Sequence, residues 1–201
     1  MALPGSYRWA VTLAVIVGFQ VALSAGFDID EALHVDSPSL MGEETALVGT
    51  GLTPQAQRQV WLAKRSGYQT AVTGMLPWRL VSSGLLAAGA GLVFIFAMRL
   101  RLAAEGRARA AELLGFAAIG AAFLRSIDGA QNLVIARTVA TETGRVLIAE
   151  GIQDAQLAAS ALSTASTVIS IAWSLLMVAI FMSLAGYFRS ESLRAALGKE
   201  G

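Results

Sequence analysis

Three runs in this 201-residue chain carry no charged side chain over the thickness of a membrane: Trp9–Phe27, Leu80–Met98 and Thr167–Phe188. A hydrocarbon core of about 30 Å takes roughly 20 helical residues to cross, and each run supplies that length. With no water at hand, a backbone crossing such a core must satisfy its own N–H and C=O groups, which a helix does within one segment. The runs therefore predict helices.

A fourth segment is less simple. Between Glu112 and Arg125 only Leu113–Leu124 is apolar, twelve residues, and at about 1.5 Å per residue they cover roughly 18 Å. The run "GFAAIGAAFLRSIDGAQN" crosses a membrane only if Arg125 and Asp128 go with it. The two lie three residues apart, a spacing that puts both side chains on one helix face and permits a pair. Charges inside a span are costly and turn toward a bundle interior or a polar cavity. The bland alternative is a span shifted outward, or an Arg125 that snorkels. Gln131 and Asn132 extend the polar face, and Arg79, Ser82 and Ser83 lie near the matching end of the second span. These residues read either as a polar vestibule or as hydrogen-bonding glue between helices.

Composition agrees: 55% hydrophobic and 14% charged residues with a mean hydropathy of +0.61 lie outside the usual soluble range. A net charge of +1, with basic residues in short scattered groups, argues against a nucleic-acid partner. Cysteine is absent, which excludes disulfides, thiolate nucleophiles and Cys-based metal sites.

Loop charges set the expected orientation. Arg99, Arg101, Arg107 and Arg109 fall between spans two and three, and Arg189, Arg194 and Lys199 follow the last. By the positive-inside rule both termini are cytoplasmic. The expected fold is an all-α integral membrane protein, one membrane domain built as a four-helix bundle with two partly helical exoplasmic segments. Its spans are about 9–27, 80–98, 113–132 and 167–188; 28–77 and 133–164 are exoplasmic, and 99–112 and 189–201 cytoplasmic. The expected location is a plasma membrane, the inner membrane in a bacterium. A cleaved signal is the second reading of the first span, because Ala22 and Ser24 have small-x-small spacing.

Residues 28–51 read as an acidic irregular loop. From Thr53 (N-cap) and Pro54 (first helical position) a helix of about four turns is predicted, with Trp78 and Arg79 as an interfacial anchor farther on. Around "TETG" two readings stand, a β-hairpin turning at Gly144 or a helical extension of span three; the marginal stability of a lone hairpin favours the helix.

Small residues recur at four-residue spacing: Gly18, Ala22 and Gly26; Ser83, Ala87 and Gly91; Ala117 and Ala121; Ala179 and Ser183. Such stripes let helices approach closely in lipid, within the bundle or against a partner subunit. Other chemistry is thin. His34 is the sole histidine and reads as a loop residue, though a His–Met haem with Met41 is formally open. Asp28, Asp30, Glu31 and Asp36 hold oxygen ligands for calcium but lack the EF-hand pattern. No nucleophile elbow or phosphate-binding glycine loop appears, so no cofactor is expected and an enzyme is disfavoured. The leading expectation is a non-catalytic membrane subunit or scaffold that packs against a membrane-protein partner or a second copy. A small transporter or channel using Arg125, Asp128 and Arg79 is the alternative. A third is an exoplasmic sensor working through a separate partner, since the cytoplasmic parts are too short for an output domain.

Overall fold

A computed structural model describes residues 5–35, 53–102, 106–149 and 155–198. Within them the chain forms α1 (Gly5–Leu33), α2 (Pro54–Leu102), α3 (Arg107–Ala149), α4 (Ala155–Phe188) and a short α5 (Glu191–Gly198). Four of these, α1 to α4, are long and apolar enough to cross a membrane.

Local chemistry explains the boundaries. Thr53 caps α2 as expected: its Oγ1 accepts the Ala56 N–H at 3.2 Å and its carbonyl the Gln57 N–H at 2.9 Å. Gly106, at φ +70°, supplies the left-handed turn before α3, a conformation that a Cβ penalises. Ser190 starts α5, its carbonyl accepting the Arg194 N–H at 3.1 Å, with Glu191 in the first turn where the helix dipole favours an acid.

Two segments differ from the sequence reading, and at a third the favoured of two alternatives holds. The acidic stretch after Phe27 is not a loop from its start, because α1 continues through Leu33; the remainder, 36–52, lies outside the described residues, as does Met41. α2 does not break at Pro77 but runs 49 residues through it. Proline forfeits one backbone bond there, and its ring sits at an exposed position. Around "TETG" there is helix, not hairpin, through Ala149. Thr138 and Thr141 hold their hydroxyls on the Val134 and Arg137 carbonyls at 3.0 and 2.9 Å, bonding back one turn and so satisfying a side chain that otherwise competes with helix.

By its contacts the chain divides into two compact units. Unit 1 comprises 1–29, 81–128 and 174–201, and unit 2 comprises 30–80 and 129–173.

Unit 1 is an antiparallel four-helix bundle whose helix contacts close a ring. α1 meets α2 at Gly18, where a Cβ would stand 2.8 Å from the Phe94 nitrogen and 3.0 Å from the Ala90 carbonyl oxygen. α2 meets α3 where Gly89 faces Ala121 and Leu124, and α3 meets α4 where Gly115 faces Ala185 and Arg189. α4 returns to α1 through Tyr187, whose hydroxyl lies 3.1 Å from Ser6 Oγ, and Tyr7 donates to the Leu100 carbonyl at 3.4 Å. The core is largely alanine and valine, closed by Phe181, Phe188 and, from α5, Leu193 and Leu197. Small facing side chains bring the backbones together, the packing device that works without a hydrophobic driving force.

In unit 2, α2 and α3 approach at Gly67, where a Cβ would be 3.0 Å from Val139 Cα. The end of α1 joins through Ala32, packed with Ala71, Val72 and Ile135, and Gln69 Nε2 donates to the Val35 carbonyl at 3.2 Å.

The glycines are not equivalent, which makes a direct test. Gly18→Val forces side chain into backbone and is expected to cost about 1–3 kcal/mol. Gly26 and Gly91 have nothing within 4 Å of a Cβ, so Gly26→Ala and Gly91→Ala are expected to gain about 0.5–1 kcal/mol through helix propensity. Thermal unfolding in mild detergent measures both; equal effects at all three positions would contradict the packing.

Candidate site: a buried ion pair on the third helix

Along α3 the outward face changes character once. It is Leu113, Phe116, Gly120 and Phe123, then Ser126, whose hydroxyl is turned back onto the Ala122 carbonyl at 3.0 Å, then Ala130 and Val134, and after these Arg137, Thr141 and Arg145, all exposed. From Leu113 to Val134 this apolar-surfaced length measures about 31 Å at helical rise, a membrane's thickness. Arg125 and Asp128 fall inside it, on the opposite face, so the charges neither end the apolar length nor point out of it.

The inward face explains how they are tolerated. Ala118, Ala121 and Ala122 lead to Arg125, which is 7% exposed, and Asp128, which is fully buried. The Arg125 Nη1 donates to Asp128 Oδ2 within the same helix. Taking two charges out of water costs several kcal/mol each, offset only by close pairing and by hydrogen bonds to the remaining polar atoms. Ser82 and Ser83 of α2, also in unit 1, are buried polar residues too. Within this interior the Arg125 Nε and the Ser83 Oγ have no hydrogen-bond partner among the described residues.

Arg79 departs from its expected role. Its neighbour Trp78 is exposed, but Arg79 is only 2% exposed. Its Nη1 donates to Asn132 Oδ1 at 3.1 Å, which ties α2 to α3 within unit 2. Gln131 is half-buried beside it in sequence. Of the residues read as a vestibule or as glue between helices, four form two bonded pairs, Arg125 with Asp128 in unit 1 and Arg79 with Asn132 in unit 2.

The small-residue stripes divide similarly. Gly18, Ser83 and Ala121 are buried; Ala22, Ala87 and Ala117 are half-buried against the core; Gly26, Ala179 and Ser183 are exposed, and Gly91 borders open space. The tightest approaches apart from Gly18 are at Gly67 and Gly115, two positions the four-residue spacing does not select.

The acidic cluster and histidine form no metal site among the described residues. Asp30 is engaged by His34, whose Nδ1 donates to the Asp30 carbonyl at 2.9 Å and lies 3.2 Å from its carboxylate. Asp28 and Glu31 are half-buried; Asp36 lies outside the described residues.

Removing one partner of the ion pair strands the other charge. Arg125→Leu or Asp128→Leu alone is expected to cost about 3–5 kcal/mol, and the double replacement much less than the sum, because an apolar pair carries no desolvation penalty. A double-mutant cycle on unfolding in detergent measures this; strictly additive losses would show the two side chains to be uncoupled. No protein-family model matches the chain, and no curated protein or solved structure is significantly similar to it.

Proposed function

We propose that the protein is a non-catalytic integral membrane subunit whose α4 docks against a membrane-protein partner. The observation that carries this reading is the lack of burial along α4. In the other helices exposed apolar residues alternate with buried ones: on α1, Trp9, Leu13, Ile16 and Phe19 alternate with Val11, Ala14 and Val17. From Thr167 to Leu176, α4 has no buried residue, and Val168, Ile169, Ile171, Trp173, Leu175 and Leu176 are all exposed. Only 22% of the most apolar window of α4 is buried, against 44% for α3.

Lipid covers one-sided apolar faces without further help, as on α1. Over nearly three turns only Thr167, Ser170 and Ser174 are even half-buried, so the apolar side chains there gain little packing from the described residues, and helix association in lipid depends on packing. A partner helix supplies what the chain lacks. The orientation that goes with this reading puts both termini on the cytoplasmic side, following the arginine-rich ends.

A transport path draws less support. A path needs a polar side chain that meets solvent or substrate, whereas Asp128 is fully buried and Arg125 is committed to it.

A photo-reactive amino acid at position 169, 173 or 176 is expected to form protein adducts in native membranes, while position 16 on α1 and position 95 on α2 give lipid adducts. If all five positions yield lipid alone, and mild detergent releases a monomer, the docking reading fails.

A further inference from the structure

The end of unit 1 where α1 and α3 begin and α2 and α4 finish is crowded with arginine. Arg8, Arg99, Arg101, Arg109, Arg189 and Arg194 are exposed there, and Arg107 adds a half-buried seventh. Among the described residues only Glu112 and Glu191 oppose them at this end. None of the six exposed arginines is ion-paired within the described residues.

Two of them are held in place. A Cβ on Gly115 would stand 2.5 Å from Arg189 Cγ and 3.2 Å from its Cδ, so the aliphatic stem of Arg189 occupies a notch that only glycine leaves open. The guanidinium carbon lies 4.7 Å from the centre of the Phe116 ring, and Phe116 belongs to the exposed apolar face of α3. An arginine with its stem along apolar surface and its head at the border of that surface is placed as a headgroup-level cation. Arg194 Nη2 donates to the Arg189 carbonyl at 2.6 Å, which brings a second guanidinium to the same corner. The planar fork of arginine matches phosphate oxygens two at a time, which lysine does not do.

We propose that this end of unit 1, centred on Arg189 and Arg194, binds the phosphate of anionic phospholipids in the leaflet it faces. Charge complementarity selects the occupant: a concentrated positive rim, whose six exposed arginines have no ion pair among the described residues, is continuous with apolar faces that accept acyl chains, and phosphodiester and acyl chain are the two halves of one lipid. The proposal rests on the membrane reading above but not on the docking of α4.

The test uses the 201-residue chain in nanodiscs of phosphatidylcholine mixed with phosphatidylglycerol, with retained lipids counted by native mass spectrometry. Preferential retention of phosphatidylglycerol is expected. R189Q is expected to weaken it roughly fivefold, the contribution of one arginine near an anionic surface, and R189Q with R194Q further. G115V keeps every charge but fills the notch, and is expected to weaken retention as R189Q does. R145Q, an exposed arginine of unit 2 paired to Glu142, is expected to change nothing. Equal retention of the two lipids, or unchanged retention in the double variant, overturns the proposal. If G115V does not fold, the charge variants, all at exposed positions, decide the matter alone. Failure of the unaltered chain to enter nanodiscs would overturn the membrane reading instead, and is seen before any lipid is counted.

Discussion

The bundle of unit 1 depends on how closely its helices can approach. At Gly18, Gly89 and Gly115 the neighbouring helix is near enough that a side chain would meet it, and the core between these points is built mainly from alanine and valine. When a helix surface is as apolar as its surroundings, little is gained by hiding it, and attraction comes from dispersion at short range. In a membrane, small residues therefore do what leucine-rich layers do in a water-soluble bundle. Of the large buried side chains, Phe188 and Leu100 lie at the arginine end, where α5 folds in Leu193 and Leu197.

Against that background the Arg125–Asp128 pair is a second kind of constraint. A buried charge must be paired, so the pair sets the rotation of α3: any turn that exposed Ala121 to Asp128 would put ions on the apolar outer surface. This is a specificity argument more than a stability one, since buried ion pairs often add little net stability over apolar replacements. Arg79 with Asn132 acts alike in unit 2, joining α2 to α3 by a bond from a charged donor, which is stronger than one between neutral groups.

Much of this was legible from residues alone. The uncharged runs and the charge of the loops predicted four apolar helices, and the twelve-residue shortfall before Arg125 required the charges to travel with the third. Thr53 and Pro54 announced the start of α2 through cap chemistry. What was not legible follows from context. The "TETG" segment has β-branched residues that suit either state, so that only the marginal stability of a lone hairpin favoured the helix; the Thr138 and Thr141 hydroxyls bond back one turn, which residues alone do not show. The length of α2 through Pro77 was hidden because proline weakens a helix locally without forbidding it. The four-residue small stripes located Gly18 but not Gly67 or Gly115, since spacing names a face and not the neighbour that the face meets.

Sequence by itself determined that the chain is helical and apolar, and that Arg125 and Asp128 share one face, because helical periodicity and the cost of unpaired backbone are properties of a single segment. Only tertiary structure decided that the face points inward, that Arg79 turns to Asn132 while Trp78 stays outside, and that Arg189 lies in the Gly115 notch. Each of these depends on which helix stands opposite. That information lies in no single helix, because one periodic surface can be packed against many partners and only the assembled bundle selects among them.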